Sequence, residues 1–262
     1  MAGRTGRPDA GPLLSVSGVC KSFGGIIAVD GADIEVGRGE SVGLVGPNGA
    51  GKTTLFNCVC GQLRPERGTV ELDGKPILDL PTYRRARLGI SRTYQRIEVF
   101  PDMTVAQHLV VAWRARWGTG RLWRDLLNRS GVTVEEQARV TEVLELIGIE
   151  DRADDPVASL GLGLCRLVEL ARALMSEPIL LMADEPSSGL DVHETGELAG
   201  VLRTLQHERG LALLLVEHDL SMVGEVVDRV IAMDLGQVIA KGSFDEVMAD
   251  PAVRHAYLGV GS

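Results

Sequence analysis

The nine residues Gly46-Pro47-Asn48-Gly49-Ala50-Gly51-Lys52-Thr53-Thr54 limit what this chain can fold into more than any other stretch. They satisfy the pattern G-x-x-x-x-G-K-[ST] in full and follow Ser41–Val45, a short apolar run that reads as a buried strand. Glycines at Gly46, Gly49 and Gly51 let the backbone curl so that successive N–H groups, those of Asn48, Ala50 and Thr54 included, converge on a polyphosphate. A helix opening near Lys52 adds its positive end to the same cavity. In such a loop Lys52 reaches the outer phosphates and the Thr53 hydroxyl ligates Mg2+. The competing reading is a chance Gly-rich turn. The strand before it and the helical spacing of Leu55, Cys58 and Val59 after it argue against that.

A chain of 262 residues can form one large or two modest domains. Its 45% hydrophobic and 24% charged residues are those of an ordinary globular protein. The longest apolar runs, around Ile179–Ala183 and Leu211–Val216, are strand-length and far short of the roughly 18 to 20 residues of a membrane span. Met1–Pro12 carries Arg4 and Arg7 without the apolar core of a signal peptide, and reads as a frayed tail of a cytosolic chain. The net charge of −9 argues against an extended nucleic-acid face, so any nucleotide handled here is a small ligand. Of the four cysteines, only Cys58 and Cys60 are close in sequence. On a helix a C-x-C pair points its thiols to different faces, so neither a zinc site nor a disulfide framework is expected, and the thiols read as reduced.

Taken in order, Leu13–Val19 alternates like a strand, Phe23-Gly24-Gly25 reads as a turn, and Ala32–Val36 resumes the alternation as an antiparallel partner. Phe23 at that turn either joins the core or offers its face to a purine base. Gly68–Leu72 and Pro76–Leu78 read as a second short hairpin turning at Asp73-Gly74. Leu88–Gln95 reads as a strand. Gln95 at its end is either a solvated amide or a ligand for Mg2+ and the attacking water. From Thr104 to about Ile147 the pattern is helical, with Asp102, Thr104 and Thr133-x-x-Glu136 as cap residues. Trp113, Trp117 and Trp123 fall here among Arg114, Arg116, Arg121, Arg124 and Arg129. The rings form either the small core of a helical subdomain or a partner-facing or headgroup-level patch.

Ile179–Ala183 is a fully apolar run that ends in Asp184-Glu185-Pro186, placing two carboxylates at the C-terminal edge of a parallel-type strand. There Asp184 suits Mg2+, and Glu185 suits polarising a water for in-line attack on a terminal phosphate. Joined to the phosphate loop in one chain, this pair indicates nucleotide hydrolysis.

Ser188-Gly189-Leu190-Asp191 and Leu214-Leu215-Val216-Glu217-His218-Asp219 resemble the D-loop and switch histidine of ABC-transporter ATPases, and Glu169–Leu174 resembles the helix after their signature. With that resemblance, Phe23 matches the family's adenine-stacking aromatic and Gln95 its Q-loop glutamine. The motifs keep the family's order from about Leu13 to Leu258. The resemblance implies an ATP- and Mg2+-binding subunit that dimerises head to tail, each loop closed by the other chain's signature. The implied site residues are Glu185, His218 and Gln95 in catalysis and Thr53, Gln95 and Asp184 at the metal. Phe23, the loop from Gly46 to Thr54, Gly161, Gly163 and Asp191 complete the nucleotide contacts.

Arg87–Gln95, Phe100–Val105, the helical insert and Ala256-Tyr257-Leu258-Gly259 resemble the longer ATPase subunit of branched-chain amino acid importers. This implies work beside a second ATPase subunit, membrane permease subunits and a solute-binding protein, at the cytoplasmic face of the membrane. The signature departs from the family: Leu-Ser-Gly-Gly-Gln is replaced by Leu160-Gly161-Leu162-Gly163-Leu164, so serine and glutamine are both missing. Gly163 and a helix expected from about Cys165 still offer N–H groups to a phosphate. Because a signature acts in trans, the change predicts an obligate heterodimer with an intact partner rather than a homodimer in which backbone donors around Gly163 suffice. The functional alternatives are an ABC ATPase of another transport system, export included, or a nucleotide-binding module of weak hydrolysis. A P-loop kinase or GTPase is disfavoured, since no Asn-Lys-x-Asp guanine reader follows.

The expected fold is α/β: a P-loop NTPase core of ABC-ATPase type with an antiparallel β subdomain and an inserted α-helical subdomain. Its expected divisions are a tail at 1–12, the first core part at 13–87, the helical subdomain at 88–175 and the second core part at 176–262.

Overall fold

Two kinds of strand build two sheets. In β1 (Leu14–Phe23) and β2 (Ile26–Val36) the residues Leu14, Val16, Val19, Ala32, Ile34 and Val36 are buried, while Ser17, Asp33 and Glu35 between them are exposed. That period of two gives an antiparallel pair with one covered face. The pair turns at Gly24-Gly25, both at positive φ (54° and 87°), with Phe23 opposite Ile26. The hairpin of β4 (Arg67–Leu72) and β5 (Lys75–Pro76) turns at Asp73-Gly74 and completes the order β2-β1-β4-β5.

The second sheet uses runs that are apolar throughout. β3 (Ser41–Val45), β7 (Leu180–Asp184) and β8 (Ala212–Val216) are buried at every residue. With β6 (Ile90–Arg92), β9 (Arg229–Asp234) and β10 (Gln237–Gly242) they form the order β10-β9-β3-β8-β7-β6, parallel except for β10 against β9. Leu180 and Met182 pack with α1 (Lys52–Cys60) and the antiparallel sheet. Leu181 and Ala183, on the opposite face, pack with α3 (Val105–Trp117), α4 (Val134–Ile147) and α5 (Leu162–Leu174). α6 (Val192–Arg209) and α7 (Leu220–Val226) cover that same face, so helices sheathe the sheet as an all-apolar strand requires. The chain closes with α8 (Phe244–Ala249) and α9 (Pro251–Leu258). The computed structural model describes residues 11–93, 103–117 and 131–258.

Several sequence expectations change. The strand expected over Leu88–Gln95 begins only at Ile90, because α2 (Thr82–Arg87) runs to Leu88 and Gly89 turns at φ 102°. The cause is Arg85, buried in full: its guanidinium donates to the carbonyls of Cys58, Val59, Leu78 and Leu80, fastening α2 to the C-terminal end of α1. Gln95, Asp102 and Trp123 lie outside the described residues. The signature helix begins at Leu162 rather than Cys165, since Gly161 is its N-cap residue and Gly163 is already helical. Thr133 and Glu136 form the expected capping box, and Thr104 Oγ1 accepts from Gln107 N. Trp113 packs on the helical core, whereas Trp117, with its ring centroid 5.8 Å away, stays exposed under the Arg116 guanidinium. Cys58 and Cys60 are buried and unpaired in disulfides, their thiols pushed up by burial to about 11 and about 12. Among the described residues no helix is long and apolar enough to cross a membrane.

Candidate functional site

Parallel strands that end side by side place their following loops together, and the sheet order does this for the motifs. The loop 46–51 leaves the end of β3, Asp184 closes β7, and Glu217-His218 follow β8, with Asp184 paired opposite Val216. Glu185 N donates to Val216 O at 2.8 Å, which carries the register one residue past the strands.

Two glycines of the loop are required by close approach. A Cβ on Gly46 (φ 146°) would stand 2.1 Å from Met233 O, and one on Gly51 (φ 97°) 2.2 Å from Ala28 O. α1 opens at Lys52, and its first-turn N–H groups have no intrahelical partners. Lys52 is buried, and its Nζ donates to Gly46 O at 2.7 Å and Pro47 O at 3.0 Å. Burial pushes this ammonium below the usual lysine range, with Glu185 and Asp184 pulling it back. A buried cation satisfied by two loop carbonyls can transfer to phosphate oxygens with little rearrangement. Thr53 stands one residue on in the same first turn.

Asp184 is almost wholly buried. Its Oδ2 accepts from Arg92 at 3.1 Å, while its Oδ1 is buried with no hydrogen-bond partner. An oxygen left so in a carboxylate facing the loop fits a divalent cation whose remaining ligands come from Thr53 and a bound phosphate. Desolvation raises the Asp184 carboxyl, and the Arg92 guanidinium offsets only part of this. Glu185 has φ 49°, a left-handed conformation that is uncommon outside glycine and is stored here at the site. Its Oε1 lies 3.5 Å from His218 Nδ1.

Phe23 is 46% exposed at the hairpin tip with Lys21 Nζ 5.3 Å from its ring centroid, so its ring lies outside the core. Gly161 and Gly163 stand at the start of α5, Gly161 as its N-cap residue and Gly163 in its first turn. Gly163 N donates to Glu194 Oε1 at 3.2 Å, and that carboxylate also completes the capping box of Asp191. One signature N–H expected to face a phosphate is therefore held within the chain, and Asp191 is fixed at the start of α6.

Two residues escaped the sequence reading. Arg92, at the end of β6, bridges Asp184, Asn57 of α1 and Gln62, and covers the Phe56 ring at 4.8 Å. Glu217 is fully buried and accepts from Ser187 N and Oγ with one oxygen and from His218 N with the other. A charged residue within a strand-end motif was the one available signal for each.

The ABC transporter family model matches residues 29–188. The chain belongs to the ABC transporter family. A branched-chain amino acid ATP-binding cassette transporter model matches residues 237–262. This ABC protein is 38% identical over 251 residues to the high-affinity branched-chain amino acid transport ATP-binding protein LivG of Salmonella typhimurium, covering 95% of this chain and 98% of that one. BraF of Pseudomonas aeruginosa, described in the same words, is 36% identical over 252 residues with the same coverage. The ADP conformation of MJ1267, an ATP-binding cassette of an ABC transporter, superposes with a TM-score of 0.83 at 30% identity, over 95% of this chain and 99% of that one. The α/β fold is thus that of an ABC cassette, and the chain is an ATP-binding, ATP-hydrolysing transporter subunit.

Proposed function

We propose that this ABC subunit drives import of branched-chain amino acids or a similar small solute, working with permease subunits and a solute-binding protein at the cytoplasmic face of the membrane. The observation that carries the solute class is the match of residues 237–262 to the branched-chain model, beside the likeness to LivG and BraF across nearly the whole chain.

In the proposed cycle the adenine lies on Phe23, and the phosphates enter the cradle of Gly46, Asn48, Gly49, Ala50, Gly51, Lys52, Thr53 and Thr54. Thr53, Asp184 and Gln95 would hold Mg2+, which would supply charge neutralisation at the terminal phosphates. Lys52 releases the Gly46 and Pro47 carbonyls and turns to the phosphate. Glu185 takes the proton of the attacking water, and His218, already 3.5 Å from it, contacts the terminal phosphate. The site is completed in trans by a second ATPase whose signature retains its serine, since Gly161 cannot supply one. On this view the helices within 88–175, apart from β6 in the central sheet, are the part that shifts as the dimer closes, with the core at 13–87 and 176–262 holding the nucleotide.

The test is reconstitution with the permease and partner ATPase in vesicles, measuring ATP-dependent uptake of labelled leucine. Uptake that requires Glu185 supports the reading. ATP hydrolysis indifferent to branched-chain amino acids and their binding protein removes the solute assignment.

A further inference from the structure

The C-terminal helix joins the site through one atom. α9 packs Val253 and Tyr257 on a cluster of Val45, Val223, Val230, Ala232 and Val247, so it lies under the residue that precedes the phosphate loop. From there the Tyr257 hydroxyl accepts the Gly46 N–H at 2.8 Å, across 211 residues of sequence. Gly46 is the root of the loop, where φ 146° and the nearby Met233 carbonyl admit no side chain. Its own carbonyl accepts from Lys52 Nζ. Both polar backbone groups of Gly46 are therefore held by side chains, one from within the loop helix and one from the far end of the chain.

These two holds have different fates when nucleotide enters. Lys52 must leave the Gly46 carbonyl to reach phosphate, and the bond that remains on the loop root is the one from Tyr257. We propose that Tyr257 is a positioning residue for nucleotide: the C-terminal helix keeps the root of the phosphate loop in its cradle shape through the Gly46 N–H. The inference rests on reading 46–54 as the nucleotide cradle. It gives the segment 237–262 a task at the site beyond completing the fold. The ring is half-buried, and burial raises the phenol while the Gly46 N–H draws it back, so the hydroxyl stays neutral through the physiological range.

Tyr257→Phe keeps the ring and removes only the hydroxyl. Titration calorimetry on the full chain should show the Kd for ATP and for ADP rising together by about fivefold, the scale of one neutral hydrogen bond. Turnover at saturating ATP should stay within about twofold of the starting protein. A Kd unchanged by the substitution overturns the proposal, whatever happens to the melting temperature. Hydrogen exchange on the unsubstituted chain gives a second reading that survives misfolding of the variant. The Gly46 amide should exchange far more slowly than that of exposed Gly49, and equal rates overturn the proposal. Lys52→Ala run alongside separates the two failures. If it leaves ATP binding intact, the cradle reading and this inference fall together; if it weakens binding while Tyr257→Phe does not, only the inference falls.

Discussion

The Glu217 carboxylate accepts both the backbone N–H and the hydroxyl of Ser187, at 2.9 and 2.7 Å. Its second oxygen accepts from His218 N at 3.1 Å and Asp219 N at 3.4 Å. The segment that leaves β7 with Glu185 is thereby tied to the segment that leaves β8 with His218. In Glu217→Gln one oxygen becomes an NH2 facing N–H donors, leaving buried groups unpaired. We expect a stability loss of about 1–3 kcal/mol in thermal melts, with ATP affinity unchanged and kcat reduced by about tenfold. A destabilised variant of full kcat would show that the Glu185–His218 geometry does not depend on this carboxylate.

Lys52 and Glu185 should separate binding from chemistry. Lys52→Ala removes the cation that meets the phosphates and should raise the Kd for ATP. Glu185→Gln should bind ATP as before and lose turnover by at least about a hundredfold, the contribution of a positioned general base. His218→Ala should follow Glu185→Gln rather than Lys52→Ala. Stopped-flow nucleotide binding beside phosphate release distinguishes the patterns, and full turnover in Glu185→Gln removes Glu185 from the mechanism.

Asp184 makes a prediction in pH. Its folded carboxyl titrates above the unfolded value, so its protonated form favours the fold, and its contribution to stability is lost as pH rises through the raised folded value. Asp184→Asn keeps an acceptor for Arg92 without the buried charge. In the absence of nucleotide and Mg2+ it should melt higher than the starting protein at neutral pH. The gain should shrink to nothing below the unfolded aspartate value of about 3.9, where both side chains are neutral. The same variant should lose Mg2+-dependent turnover. A difference in melting temperature that does not vary with pH would contradict the raised, desolvated carboxyl of this group.

Gly161 can be given back its serine. No atom lies within 4 Å of a Cβ built there, and φ −67° is ordinary for an N-cap residue. Gly161→Ser should stabilise the chain by a few tenths of a kcal/mol through the cap and raise ATP hydrolysis by the isolated chain severalfold. The starting protein, as Glu185→Gln with ATP, should stay monomeric in sedimentation without a second ATPase. Brisk hydrolysis and dimer closure by the unaltered chain alone would mean that Leu160–Leu164 is a working signature and that no heterodimer is needed.

The sequence by itself determined the parts whose physics is local. The loop 46–54 is recognisable because glycine, lysine and threonine must occur at fixed steps for a backbone to wrap a phosphate. Asp184 and Glu185 are recognisable because they end a strand that is apolar on both faces. The hairpin at Gly24-Gly25 and the capping box of Thr133 and Glu136 are likewise set within a few residues. Tertiary structure decided what depends on strand order. Arg92 reaches Asp184 because β6 lies beside β7, and Glu217 reaches Ser187 because β7 lies beside β8. Arg85 holds a helix just ahead of the expected strand by donating to two carbonyls of α1 and to those of Leu78 and Leu80. Tyr257 meets Gly46 only once β9 has paired with β3 and carried the C-terminal helices under the loop. A hydrogen bond between groups so distant in sequence leaves no periodicity in the chain, because its energy depends on where the sheet sets the two groups down.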